Sequence, residues 1–316
     1  MTHEKAPAIL VVGSGGLGSV FGGLLAEHGL PVTLLGVRRD HADAIAAAGG
    51  LRIIGFGGDR LIPLAATADP STIQRADVVI FLCKAGANRA AARSVKHVFH
   101  PDTIAVTFQN GLGNEDVLAE ILGPQAVVAG LTAQGARLEA PGVARNFTEL
   151  PSHVGEVAGG LSDRVRWLSG LFSANGLPTT PSAHIMRDKW MKLFANIAFS
   201  ASSGVTGLSI ARVGATPSLH ATALRAIDEA AAVAATEGHV FDEQERRSIF
   251  DQLLGSSGAS ANTSSMYRDL QARKPSEVEY IYGTVIARAA RSGIPVPTLQ
   301  TLHALVQGIE ASWETA

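Results

Sequence analysis

The sequence predicts an α/β N-terminal domain, a Rossmann-type doubly wound sheet, followed by an all-α C-terminal domain, with the division near Pro181 (1–181 and 182–316). Three observations carry this expectation. Residues 8–150 alternate short apolar runs with Ala-rich stretches, the pattern of a parallel sheet wrapped by helices. The first apolar run enters a glycine-rich turn, Gly13-Ser14-Gly15-Gly16-Leu17-Gly18, and a helical stretch follows it. Beyond about residue 180 the strand-like runs stop, and long helical stretches ending in glycine take over.

Taken in order, the runs 8–13, 31–37, 76–83 and 103–108 are apolar through their centres, as strands buried on both faces must be. Between them, Ala42–Ala48 and Ala85–Val98 read as helices. Residues 51–66 read as a hairpin turning at Gly57-Gly58. In the second half, helical stretches 218–237, 242–254 and 276–292 end at Gly238, Gly255 and Gly293, the last followed by Pro295 and Pro297. Leu299, Leu302, Leu305, Val306 and Ile309 form one stripe of the final helix. The stretch 255–265 is a small polar loop that enters a helix at Met266, with Asn262 or Ser264 as its N-cap.

Composition narrows the function classes. The 316 residues carry 26 Lys+Arg against 28 Asp+Glu, a formal net charge of −2, so a basic face for nucleic acid is not expected. Apolar residues make up 46%, enough for sizeable cores. Cys83 is the one cysteine, which excludes an intramolecular disulfide and a Cys-based zinc site and suits a reducing cytoplasm; no metal is expected. Residues 8–26 and 193–211 are uncharged, but the first holds six glycines and the second carries four serines with Asn196 and Thr206, so neither reads as a membrane anchor. The start, MTHEKAP, lacks the form of a signal peptide. Oligomeric state is not legible: the apolar stripes suit a core or a homodimer interface equally.

The glycine turn stands where a dinucleotide-binding fingerprint requires it. Gly13 permits the tight turn, Gly15 lets the backbone approach a pyrophosphate, and Gly18 lets helix and sheet pack closely. A second strand followed by Arg38 and Arg39, in place of a ribose-binding carboxylate, favours NADP(H) through its 2′-phosphate. Lys84 and Asn110 close two further strands, at the ends where ligands bind in such sheets. Lys192, Asn196 and Ser200 lie i, i+4, i+8 on one face of an otherwise apolar helix, a costly stripe to bury without partners. Glu277 follows Pro275-Ser276 in the first turn of a helix, with Glu279 and Asp269 as rival carboxylates.

In register across nearly the whole chain, these residues resemble the ketopantoate reductase (2-dehydropantoate 2-reductase) family. The match runs through the glycine turn, Arg38, Leu82-Cys83-Lys84, Gln109-Asn110-Gly111, Pro141-Gly142, Val154-Gly155, Trp190-Met191-Lys192 with Asn196, Asn262 to Met266, and Asp269 with Glu277 before Tyr280. The resemblance implies an active site in the cleft between a Rossmann domain and a helical domain. It makes Lys192 the general acid and Glu277 the carboxylate that orients that lysine or the product hydroxyl. It gives Asn110 the positioning of nicotinamide and substrate, and Lys84 a contact to both. It assigns Asn196, Asn262 and Ser265 to the substrate, with Ser200 standing where a second asparagine is usual.

A lysine suits the chemistry, since reducing a ketone needs a proton where oxyanion charge develops, and burial lowers its pKa toward neutrality. The expected activity is NADPH-dependent reduction of a 2-oxo acid, foremost ketopantoate to pantoate in pantothenate and coenzyme A synthesis. Two alternatives within the superfamily are a reductase of another 2-oxo acid and a β-hydroxyacid or imine-type dehydrogenase. A third, a non-enzymatic dinucleotide sensor, would have no use for Lys192 and Glu277.

Overall fold

The computed structural model describes residues 6–255 and 263–313. The chain divides into two compact units, Met1–Gln109 with Asn114–Met186, and Asn110–Gly113 with Arg187–Ala316.

The first unit opens with β1 (Ile9–Val12), α1 (Gly16–Glu27), β2 (Val32–Leu35), α2 (Arg39–Ala48), β3 (Leu51–Gly55), β4 (Arg60–Ile62) and β5 (Ala65–Thr67). It continues with β6 (Val78–Phe81), α3 (Asn88–Ser94), β7 (Ile104–Thr107), α4 (Asn114–Leu122), β8 (Val127–Thr132), β9 (Ala136–Ala140) and β10 (Val143–Asn146). β11 (Ser152–Glu156), α5 (Asp163–Ala174) and β12 (Thr179–Pro181) complete it. Among the described residues the main sheet has eight strands in the order β12-β11-β8-β7-β6-β1-β2-β5. It is parallel from β5 to β8, and β11 runs antiparallel to β8. The chain goes from β1 to β2 on one side and later to β6 on the other, so the order reverses at β1, where α/β sheets bind ligands.

Alternate residues of each central strand serve opposite cores. Ile9, Val11, Val78, Ile80, Ile104 and Val106 pack into one, and Leu10, Val12, Val79, Phe81 and Ala105 into the other. That is why these runs are apolar through their centres. The hairpin expected over 51–66 is β3 and β4, paired antiparallel around Gly57-Gly58 in a second, four-stranded sheet with β9 and β10. Its last residues depart from the expectation: Ala65 and Ala66 belong to β5 and pair with β2 in the main sheet.

The second unit carries most of α6 (Ile185–Thr206), with α7 (Ile210–Ala215), α8 (Pro217–Thr236), α9 (Glu243–Gly255) and α10 (Ser265–Gln271). A π-helical turn over Glu279–Gly283, α11 (Thr284–Ser292) and α12 (Pro297–Ala311) follow. Trp190, Leu193, Phe194, Ile197 and Ala201 bury one face of α6, and the Phe194 ring meets Phe241 edge-on at 4.9 Å. Glu229 of α8 accepts from the amides of Thr298 and Leu299, both at 2.9 Å, and so caps α12 behind its leading proline. On α12, Leu299, Leu302 and Val306 are buried, whereas Leu305 is 48% exposed. The apolar stripe is therefore narrower than the sequence suggests, because position 305 lies off the i, i+3, i+7 line.

Candidate active site

In the first unit β1 delivers the chain into the glycine turn. Gly13 sits at φ +107°, and a Cβ there would lie 2.2 Å from the Cys83 backbone nitrogen just beyond β6. A Cβ on Gly18 would meet the Gly13 carbonyl at 2.0 Å, so α1 closes directly onto the turn. Gly15, the N-cap of α1, faces open space, has no side-chain cap, and no acidic residue occupies the first turn. The leading amides would thus suit an anion, in a cradle that a Cβ at Gly15 would begin to fill. Ser14 is buried in this turn, and Gly16 and Leu17 are partly buried where α1 begins.

Beyond β2, Arg38 and Arg39 are both exposed. Arg38 forms a fork with Asp40, at 3.2 Å from Nε to Oδ1 and 2.5 Å from Nη2 to Oδ2. Arg39 lends its charge to Asp69. Lys84 follows β6 and is exposed. These residues fit a pyridine dinucleotide: the α1 amides and glycine turn for the pyrophosphate, and a cationic turn after β2 for the adenosine end.

A buried relay ties the two parts together. The Gly142 amide donates to Nδ1 of His41 at 2.9 Å, so the neutral ring carries its proton on Nε2. Nε2 lies 3.1 Å from Ser19 Oγ, and the Ser19 hydroxyl donates to the Ser14 carbonyl at 3.3 Å. His41 is fully buried, and burial together with the Arg38 charge lowers its pKa. His41 belongs to the inner stripe of α2, four residues before Ile45, a signal that periodicity carries but chemistry-based motif reading passes over.

In the second unit three predicted residues form one chain of hydrogen bonds. Lys192 Nζ donates to Asn110 Oδ1 at 3.0 Å, and Asn110 Nδ2 donates to Glu277 Oε2 at 3.2 Å. Asn110 reaches this position on the segment Asn110–Gly113, which turns at Gly111 (φ +82°); there a Cβ would stand 2.2 Å from the Tyr280 carbonyl. Lys192 keeps some exposed surface while its amine end is desolvated. Burial, with help from the nearby Lys189 charge, lowers its pKa to about 8 against the opposing pull of Glu277. Lys189, one turn away on α6 and 3% exposed, does not stand out in the sequence.

Glu277 differs slightly from its expected placement. It stands just before the π-helical turn rather than within a helix, and its carbonyl accepts from Tyr280 and Ile281. Its carboxylate is thereby free of capping duty and turned to Asn110. The rival Glu279 is exposed and bonds His303 and Gln307 at 2.9 and 2.8 Å. Asn196 is half-buried and Ser200 buried, both on α6. Ser264 is the N-cap of α10, accepting from Tyr267, and Ser265 beside it is exposed. Asn262 lies outside the described residues. Cys83 is mostly buried, which pushes its thiol up to about 11. Among the described residues no group of three or more His, Cys, Asp or Glu could hold a metal ion, and no helix is long and apolar enough to cross a membrane.

A doubly wound sheet with this glycine turn, and a desolvated lysine tied to an amide and a carboxylate, define a pyridine-nucleotide-dependent oxidoreductase acting on CH–OH groups. The family model described as ketopantoate reductase PanE/ApbA matches residues 9–159, and its C-terminal counterpart matches residues 184–310. The chain belongs to the ketopantoate reductase family. It is 33% identical over 302 residues to the 2-dehydropantoate 2-reductase of Halobacterium salinarum, covering 95% of this chain and 97% of that protein. With the PanE/ApbA family ketopantoate reductase of Ralstonia eutropha JMP134 it shares 29% identity and a TM-score of 0.89, covering 97% and 99% of the two chains. D-mandelate dehydrogenase in complex with NADH and anilino(oxo)acetate has the same fold, with a TM-score of 0.90 at 24% identity over 96% of this chain and 99% of that one.

Proposed function

We propose that this protein reduces 2-dehydropantoate (ketopantoate) to pantoate with NADPH, a step toward pantothenate, in the cytoplasm. The observation that supports it most is the Lys192–Asn110–Glu277 chain, in which burial lowers the lysine pKa to about 8. At that value the ammonium is still largely protonated at neutral pH and gives its proton up readily, which suits a general acid. The reduced nicotinamide, when bound, supplies the hydride to the carbonyl carbon. Lys192 donates a proton to the carbonyl oxygen, so ketone, hydride and proton balance as a secondary alcohol. Asn110 holds the lysine by its carbonyl, and Glu277 holds Asn110 by its amide, fixing which way that amide faces. Asn196, Ser200, Asn262 and Ser265 would bind the 2-oxo acid through their hydroxyl and amide donors, with Ser265 nearest its carboxylate.

The glycine turn and α1 amides would hold the pyrophosphate, and Arg38 or Arg39 the 2′-phosphate. NADPH oxidation followed by absorbance, against ketopantoate and a panel of 2-oxo acids, tests the reading. Rapid turnover of ketopantoate upholds it. Slow turnover beside a faster relative assigns the same chemistry to another 2-oxo acid, with Ser200 as the mark of that difference.

A further inference from the structure

The peptide group joining Ser200 to Ala201 is gripped at both ends from outside α6. In a regular helix the Ala201 amide pairs with the Ile197 carbonyl. Here the Tyr282 hydroxyl takes a place at that step, donating to the Ile197 carbonyl at 2.7 Å and accepting from the Ala201 amide at 3.1 Å. At the other end, the Ser264 hydroxyl donates to the Ser200 carbonyl at 3.2 Å. The Ser264 amide donates to Ser203 Oγ at 3.0 Å, and Ser203 Oγ donates to the Leu208 carbonyl at 2.8 Å. A side chain inserted in the i to i−4 ladder is one of the few causes of local bending in a helix.

Tyr282 is fully buried and belongs to the π-helical turn, where the Thr284 amide reaches back to the Glu279 carbonyl. The same turn begins two residues after Glu277, whose carbonyl accepts the amides of Tyr280 and Ile281. One short segment therefore contributes the carboxylate bonded to Asn110 and the hydroxyl lodged in α6. The step it enters, Ile197 to Ala201, immediately follows Asn196 and Ser200. π-turns of this kind recur at functional sites because the extra residue re-aims side chains.

We propose that Tyr282 is a specificity-determining positioning residue: its hydroxyl, with Ser264 opposite, sets the orientation of Ser200 relative to Asn196 and Lys192 and so selects which 2-oxo acid side chain the site accepts. The proposal rests on the 2-oxo acid reductase reading given above. Removing the hydroxyl leaves the ring's packing in place but takes away the outside bonds to the Ile197 carbonyl and the Ala201 amide, which frees the Ser200–Ala201 peptide to shift and Ser200 to turn relative to Lys192 two turns earlier on the helix.

Tyr282→Phe tests it through the ratio of kcat/KM for ketopantoate to that for 2-oxoisovalerate, the same acid without its hydroxymethyl group. The expected result is a change of about tenfold in that ratio, carried by the KM of the acid, with the KM of NADPH within about twofold of the parent. Ser264→Ala, which releases the opposite end of the same peptide, is expected to move the ratio in the same sense and serves if Tyr282→Phe does not fold. Val285→Ala, a truncation of a fully buried residue of α11, is the structural control and is expected to lower Tm without moving the ratio. A ratio unchanged in a folded Tyr282→Phe or Ser264→Ala, or moved equally by Val285→Ala, overturns the inference alone. A parent enzyme that reduces no 2-oxo acid overturns the underlying reading and the inference with it.

Discussion

Lys192 donates from Nζ to Oδ1 of Asn110 at 3.0 Å, across 82 positions of sequence. A free amide can present either its oxygen or its nitrogen to a neighbour; this one is oriented because its nitrogen is occupied by Glu277. The carboxylate thus acts on the lysine both as a charge and through an amide it holds in place.

Lys192→Ala is expected to lower kcat by about 10² to 10⁴, the usual worth of a positioned acid, while the NADPH dissociation constant stays nearly unchanged. Single-turnover kinetics and cofactor fluorescence measure the two quantities separately. Unchanged turnover removes Lys192 from the chemistry.

The pH profile follows from the lysine. With its pKa lowered to about 8, kcat/KM for reduction is expected to fall as pH rises through that value, because the proton to be donated is lost. Glu277 raises the Lys192 pKa, so Glu277→Gln is expected to move the alkaline limb to lower pH. Lys189 lowers it, so Lys189→Met is expected to move the limb to higher pH. Limbs that stay in place in both variants would assign the titration to another group.

Cofactor choice turns on the loop after β2. Asp40 holds the Arg38 guanidinium, so Asp40→Asn is expected to free it and raise the NADPH over NADH ratio of kcat/KM, by about three- to tenfold. Arg38→Ala and Arg39→Ala, measured side by side, show which cation meets the 2′-phosphate. A parent ratio below one would make the enzyme NADH-dependent.

His41→Ala is expected to destabilise the first unit by about 2 to 4 kcal/mol, since it strands the buried Gly142 amide and removes the donor to Ser19 Oγ. Thermal unfolding with and without NADPH measures it. The folded pKa of His41 lies below its ordinary 6.5, so the unfolded chain takes up a proton first as pH falls. The histidine therefore adds an acid-side loss of stability that begins near 6.5 and that the variant lacks.

Much of the candidate site is legible in the sequence because its signals are local. The glycine turn, the paired arginines and the Lys192, Asn196, Ser200 stripe are each set by spacing within one element. Three carboxylates competed in the sequence, at 269, 277 and 279. The turn geometry brought Glu277 to Asn110 and sent Glu279 to His303 and Gln307. Ser264 was visible as a cap, but its bond to the Ser200 carbonyl was not. Tyr282 carries no signal in the sequence beyond its place in the helical stretch 276–292, because periodicity records that a side chain turns inward and says nothing of what its hydroxyl meets.

By itself the sequence determined the layered sheet, the helical second half and the kinds of group available for chemistry, since period, glycine placement and side-chain type act over a few residues. Only the tertiary structure decided that Asn110 joins Lys192 to Glu277, that His41 links Gly142 to the glycine turn, and that Tyr282 enters the ladder of α6. Those bonds join segments up to 167 positions apart. They form because each buried donor and acceptor must find a partner once the cores have closed around it.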